Sequence, residues 1–224
     1  MSLIGSALVI AGKDLRLESK TRDVVGSAGL FGLLVIVVAS FAFPTWGDGR
    51  EGVAAGVLWI AFAFAALLGL GRSFAIEKEE DCLEGLLVSP APAEAIFLGK
   101  LVANVVFTAA IEIVILPVFV VLLSLRPSDV AILVAAAFLG TLGLLTVGTL
   151  FAAMAVNTRG RESILPLLVM PVSVPVMIAA VKATQSALGG QGAGDVFPWM
   201  LLMLGYDVLF LMVALATFPQ VTEE

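Results

Sequence analysis

RSFAIEKEEDCLEGLLVSPAPAEAIFLGK, residues 72–100, is the one substantial polar segment of the chain, and the apolar runs on either side of it are long enough to cross a bilayer. It opens on Arg72, carries Glu77, Glu79, Glu80, Asp81 and Glu84 interleaved with Leu83, Leu86 and Leu87, and closes through Ser89-Pro90-Ala91-Pro92 to Lys100. Residues 77–87 have helical composition with the three leucines on one side. Gly85 interrupts that stretch, and Ser89 to Pro92 stops it, because a proline ring and its missing N–H break a helix. Pro92 suits the first turn of the next helix, where Glu94 favours the positive end of the dipole. A polar hairpin held between two spans is where a membrane protein can meet a soluble partner. The plainer alternative is a solvated acidic loop, since most charge runs are solvated faces.

Around this hairpin, composition bounds the class. The 224 residues are 60% hydrophobic and 13% charged, with a mean hydropathy of +1.11, far from the balance of soluble domains. The chain reads as an all-α integral membrane protein. Its length accommodates six spans and leaves no room for a second soluble domain, so residues 1–224 form a single transmembrane domain. The net charge of -6 comes mainly from the cluster at 77–84 and from Glu223 and Glu224, and with no basic run nucleic acid is not a partner. The single cysteine, Cys82, forms no intrachain disulfide, and there is no histidine. The commonest acid/base catalyst and the commonest metal ligand are therefore both missing, and no metal site is expected.

In chain order, residues 3–22 place Ile4, Leu8, Ala11 and Leu15 at helical spacing, followed by Lys13, Arg16, Lys20 and Arg22 with Asp14 and Glu18 among them. This predicts an N-terminal amphipathic helix over 1–22, lying along the lipid surface. Its apolar start is too short and mixed for a signal-peptide core. Six apolar runs follow, at 24–43, 53–71, 96–125, 130–156, 163–181 and 196–219, each long enough to span with some tilt. The Gly/Ala-rich segment 186–195 is expected to be a flexible connection.

Basic residues near span ends stay on the cytoplasmic side. With the N-terminus inside, Lys13, Arg16, Lys20, Arg22, Arg72, Lys78, Lys100, Arg159 and Arg161 are cytoplasmic, against Arg50, Arg126 and Lys182 outside. Both termini and the 72–100 hairpin are thus expected in the cytoplasm. Trp46 and Trp199 fall near span ends, where aromatic belts form.

Two carboxylates lie within spans: Glu112 in the third and Asp207 in the sixth. Each costs roughly 2.5 to 3.5 kcal/mol at that depth, so each should face the bundle interior, paired or protonated. They are candidates to line or gate a polar path; the alternative is a pair of interhelical hydrogen-bonding groups. Pro166, Pro171 and Pro175 should kink or break the fifth span, as a moving or re-entrant element or as a static bend. Gly26, Gly29 and Gly32, and Gly140, Gly143 and Gly148, suggest close helix contacts. No catalytic constellation is present: no H-E-x-x-H, no G-x-S-x-G and no nucleophile–base spacing.

The segment GRSFAIEKEEDCLEGLLVSPAPAEAIFLGKL at 71–101, within 56–123, and LPLLVMPVSVPV at 165–176 resemble the CcmB family, the haem-exporter B permeases of cytochrome c maturation. The resemblance covers nearly the whole chain. It implies the membrane subunit of an ABC transporter in the bacterial inner membrane, with a cytoplasmic coupling helix between spans 2 and 3. That helix falls on Glu77, Glu80, Asp81, Leu83, Glu84, Gly85, Leu86, Leu87, Ser89 and Pro90, and Glu112, Asp207, Pro171 and Pro175 become the candidates for a translocation path or gate. The chain lacks a G-x-x-x-x-G-K-[ST] phosphate loop, so ATP would be bound and hydrolysed by a separate ATP-binding cassette subunit. The implied partners are that subunit, a histidine-bearing haem-handling membrane protein and a second copy of the chain, with haem as a substrate of the complex and no cofactor on this chain. A permease for a lipid or drug, or a scaffold that recruits an ATPase without transporting, shares the same hairpin.

Overall fold

The structure is a computed structural model and describes residues 2–21, 23–42, 49–73, 92–155, 161–190 and 193–222. The chain is built of helices: α1 (Leu3–Thr21), α2 (Asp23–Ala42), α3 (Arg50–Ser73), α4 (Ala93–Leu122), α5 (Val130–Ala155), α6 (Arg161–Gly189) and α7 (Ala193–Thr222). Helices α3 to α7 are each long and apolar enough to cross a membrane, whereas α2 is shorter in its apolar part, Gly26–Ala42. At about 1.5 Å per residue, the 20 residues of α2 reach about 30 Å, the thickness of the hydrocarbon core. Most of the 72–100 hairpin, including every residue proposed for coupling from Glu77 to Pro90, lies outside the described residues.

Helix α5 is the hub of the bundle. It packs against α3, α4, α6 and α7, and the run Gly143–Leu150 is buried without interruption. Small and β-branched residues let the neighbouring backbones approach closely there. Helix α2 sits at the edge against α3 and α4, and turns Leu30, Leu34, Val38 and Phe41 outward at helical spacing, as a lipid-facing stripe requires. The apolar interior divides into two clusters. One gathers around Trp59, Phe62, Ile115, Phe119 and Val176, and the other around Leu70, Phe97, Leu144, Leu165 and Phe218.

Glycine governs the closest approaches. A methyl group at Gly99 would come within 2.8 Å of the Ala7 carbonyl oxygen and of Ile10 Cβ, so α4 meets α1 backbone to backbone. Gly32, Gly140, Gly143 and Gly148 likewise face neighbouring helices, but Gly26 and Gly29 have nothing within 4 Å, so the contact expected of those two is absent.

Three boundaries differ from expectation. Helix α4 begins immediately after Pro92, which stands at its N-cap rather than in its first turn, and it ends at Leu122. Ser124 then adopts φ +49°, and Arg50 closes the end: its Nη2 donates to the Ser124 carbonyl at 3.0 Å and to the carbonyl of Leu123. Helix α6 runs on through residues 182–189, which the sequence suggested were loop. Ala179, Ala183 and Ala187 keep a buried face at four-residue spacing, and the Trp59 indole N–H donates to Thr184 Oγ1 at 3.0 Å, so burial overrides the polar appearance of the segment. Finally, α6 is not broken at Pro166, Pro171 and Pro175; it is helical throughout. Pro171 and Pro175 are exposed on the outside of the bundle, and Tyr206 supplies a hydroxyl donor at 3.0 Å to the carbonyl of Val172, in the turn preceding Pro175.

The connection between α4 and α5 is stitched to the end of α6. The N–H groups of Ser128 and Asp129 donate to the Ala187 carbonyl at 2.9 and 3.2 Å, and Ser128 Oγ reaches the Leu188 carbonyl at 3.4 Å. The end of α6 is closed by Gly190 in a left-handed conformation, φ +68°.

Candidate functional site

Helix α4 carries Lys100, Asn104, Thr108 and Glu112 at four-residue intervals, and all four side chains are buried. Residues four apart lie nearly above one another, so these groups form a slanting polar stripe about 18 Å long through an otherwise apolar helix. Their partners come from neighbouring helices. Lys100 Nζ lies 2.9 Å from Asp14 Oδ2 on α1, Asn104 Nδ2 donates to Thr149 Oγ1 at 3.3 Å, and the Thr141 hydroxyl donates to Glu112 Oε1. Thr141 and Thr149 stand eight apart on α5 and match Glu112 and Asn104, eight apart on α4, as antiparallel neighbours must. The stripe joins the α1 ion pair to a carboxylate deep in the bundle.

Asp207 belongs to a second polar cluster. It sits on α7 with Tyr206, against Gly143 of α5 and Val176 of α6: a methyl group at position 143 would meet Asp207 Oδ1 at 2.5 Å, Val176 at 3.0 Å and Tyr206 at 3.1 Å. Both Asp207 carboxylate oxygens, and the hydroxyl of fully buried Ser173 on α6, have no hydrogen-bond partner among the described residues.

The two carboxylates are not brought together. Glu112 meets α5 at Thr141 and Asp207 meets it at Gly143; two residues turn a helix by about 200°, so the carboxylates stand on opposite sides of α5. Pro171 and Pro175 face away from the bundle, while their neighbours Val172 and Val176 contact the Asp207 cluster. Asn104, Thr108, Thr141, Thr149, Ser173 and Asp14 were not singled out by sequence reasoning. The four-residue spacing of polar side chains within an apolar run was the signal for the first two. Among the described residues, no three His, Cys, Asp or Glu side chains come together in a way that could hold a metal ion.

The architecture defines a class, a multi-pass α-helical membrane protein whose central helix separates two buried polar clusters. Over residues 6–222 the sequence matches the family described as CcmB protein, and the chain belongs to that family. It is similar to the protein named Heme exporter protein B from Paracoccus denitrificans, 32% identical over 92% of this chain and 92% of the relative. The Rhodobacter capsulatus protein of that name is 31% identical over 86% of this chain and 88% of its own length. The Pseudomonas aeruginosa one is 26% identical over 86% of each.

Proposed function

We propose that this chain is the membrane-spanning subunit of an ABC transporter that exports or handles haem for the maturation of c-type cytochromes in the bacterial inner membrane. The observation that carries this reading is the family match over residues 6–222, with relatives named as haem exporters along nearly their full length. ATP is hydrolysed by a separate ATP-binding cassette subunit, because the sequence contains no phosphate loop. With no histidine in the chain, iron ligation by imidazole falls to a haem-handling partner. Two copies of the chain enclose the pathway, with both termini and the 72–100 hairpin in the cytoplasm.

In this reading the ATPase engages the acidic hairpin through Glu77, Glu80, Asp81, Glu84 and the leucines between them. Its closure pulls on the adjoining ends of α3 and α4. Helix α1 is joined to α4 by the Asp14–Lys100 pair and the Gly99 contact, so the two helices move together. Glu112 and Asp207 serve as gate groups on the two sides of α5.

The test is a mild-detergent purification of the tagged chain from its native membrane, with partners identified by mass spectrometry and the haem absorbance of the eluate recorded. Recovery of a phosphate-loop ATPase and a haem-binding membrane protein is expected. An ATPase without haem or a haem-binding partner would make the substrate something else, and no ATPase at all would overturn the reading.

A further inference from the structure

Asp207 differs from every other buried ionisable group among the described residues for which partners are known. Lys100 is paired with Asp14 and Glu112 accepts from Thr141, yet both Asp207 oxygens are without a partner although the residue is 95% buried. A bare carboxylate is not stable in such a setting; its charge is compensated by a bound cation. Among the described residues, the helices packed around it place no fixed cation beside it. Helix α5 has no ionisable side chain along its length, α6 carries Arg161 and Glu162 at its start and Lys182 towards its other end, and α4 carries Glu94, Lys100 and Glu112. On α7 itself the ionisable groups are Asp195, at its start, and Tyr206, whose hydroxyl is given to the Val172 carbonyl. The gap left by Gly143 is filled by the Asp207 carboxylate, and the buried Ser173 side chain, next in sequence to Val172, lies by Tyr206.

We infer that Asp207, packed against Gly143, forms an intramembrane site that binds a single proton and exchanges it with water. A largely apolar groove of about 670 Å³ between α5, α6 and α7 passes beside the Tyr206 neighbour of this carboxyl. Its lining includes Val172, which accepts the Tyr206 hydroxyl, and Phe210, whose ring stacks on Tyr206 at 4.3 Å. From there it extends to Thr217 and Gln220 at the end of α7. This site does not depend on the transported substrate, and its test requires no transport assay.

The experiment uses the full chain in lipid nanodiscs and the apolar reagent dicyclohexylcarbodiimide, which adds to the protonated form of a carboxyl group, with the modified residue mapped by mass spectrometry. Labelling at Asp207 is expected to fall as the buffer pH is raised, by about tenfold for each pH unit past the titration point, since each such unit removes about nine-tenths of the protonated form. Gly143→Ala should lower labelling several-fold by displacing the carboxylate, and Glu112→Gln should leave it unchanged. Sodium at constant pH should not protect; protection would mean that the site takes a metal cation and not a proton. Difference infrared spectra of the chain and its isosteric Asp207→Asn variant give a second readout, a pH-dependent carboxylic acid band present only in the former. Labelling and band that do not change with pH would overturn the inference, because an acid that never exchanges its proton is only a packing group. The absence of both would overturn it equally.

Discussion

Lys100 Nζ and Asp14 Oδ2 stand 2.9 Å apart, with the lysine side chain 1% exposed and the aspartate 13%. This joins the first helix of the chain to the helix that follows the polar hairpin. Removing Asp14 leaves the buried Lys100 uncompensated and is costly, removing Lys100 leaves Asp14 with Lys13, 3.4 Å away, and removing both together costs much less than the first. Asp14→Leu alone should therefore destabilise the protein by about 3 kcal/mol, measured by thermal unfolding in detergent, and Asp14→Leu with Lys100→Met should recover most of that loss. Equal stability of the single variant and the original protein would show that the pair holds nothing.

The contact at Gly99 makes a steric prediction. Gly99→Ala places a methyl group 2.8 Å from the Ala7 carbonyl oxygen, a backbone atom that cannot rotate away, and should cost about 1 to 3 kcal/mol while loosening α1 from α4. Gly26→Ala, with open space around it, should be neutral or slightly stabilising through helix propensity. Limited proteolysis after α1 would report the difference; equal cleavage rates in the two variants would refute the contact.

Arg50 satisfies carbonyls at the end of α4 that the helix itself leaves unpaired. Arg50→Ala should cost about 1 to 3 kcal/mol and speed backbone hydrogen exchange across residues 123–129. Unchanged exchange there would mean that water replaces the guanidinium without loss.

Because α5 separates Glu112 from Asp207, the two should act independently. The stability effects of Glu112→Gln and Asp207→Asn are expected to add within about 0.5 kcal/mol in a double-mutant cycle. A larger coupling would place them in one network. If they gate a path, transport should fall in the double variant at normal protein level; an undiminished rate would remove them from that role.

Charge reversal of Glu80, Asp81 and Glu84 to Lys tests the hairpin. Association with the ATPase should be lost while membrane insertion is retained, and co-purification in normal amount would move the principal contact elsewhere.

The helical membrane architecture was legible because apolar runs of sufficient length have few physical outcomes in a bilayer, and α3, α4, α5 and α7 fall close to the runs that announced them. The end of α6 was not, since Lys182, Thr184, Gln185 and Ser186 look like loop until Thr184 and Ser186 are seen to be buried beside Trp59 and the alanine face, with Lys182 left exposed. The polar stripe of α4 was half visible: Lys100 and Glu112 stood out by charge, while Asn104 and Thr108 carry the same spacing without it. That Glu112 and Asp207 lie on opposite sides of α5 could not be read from either residue. It depends on Thr141 and Gly143 facing different neighbours, which only the packing of four helices around α5 decides.

The bonds from Ser128 and Asp129 to Ala187, together with Arg50 on the end of α4, fasten four helices to one another at a single end of the bundle. The hairpin adjoins the other end. A bundle tied in this way has its fulcrum at the stitched end, so a small displacement applied beside the hairpin is carried as a tilt whose amplitude shrinks along the helices, like the arms of tweezers. In the proposed transporter the widest opening would then fall at the hairpin side, and the stitched end would hardly move.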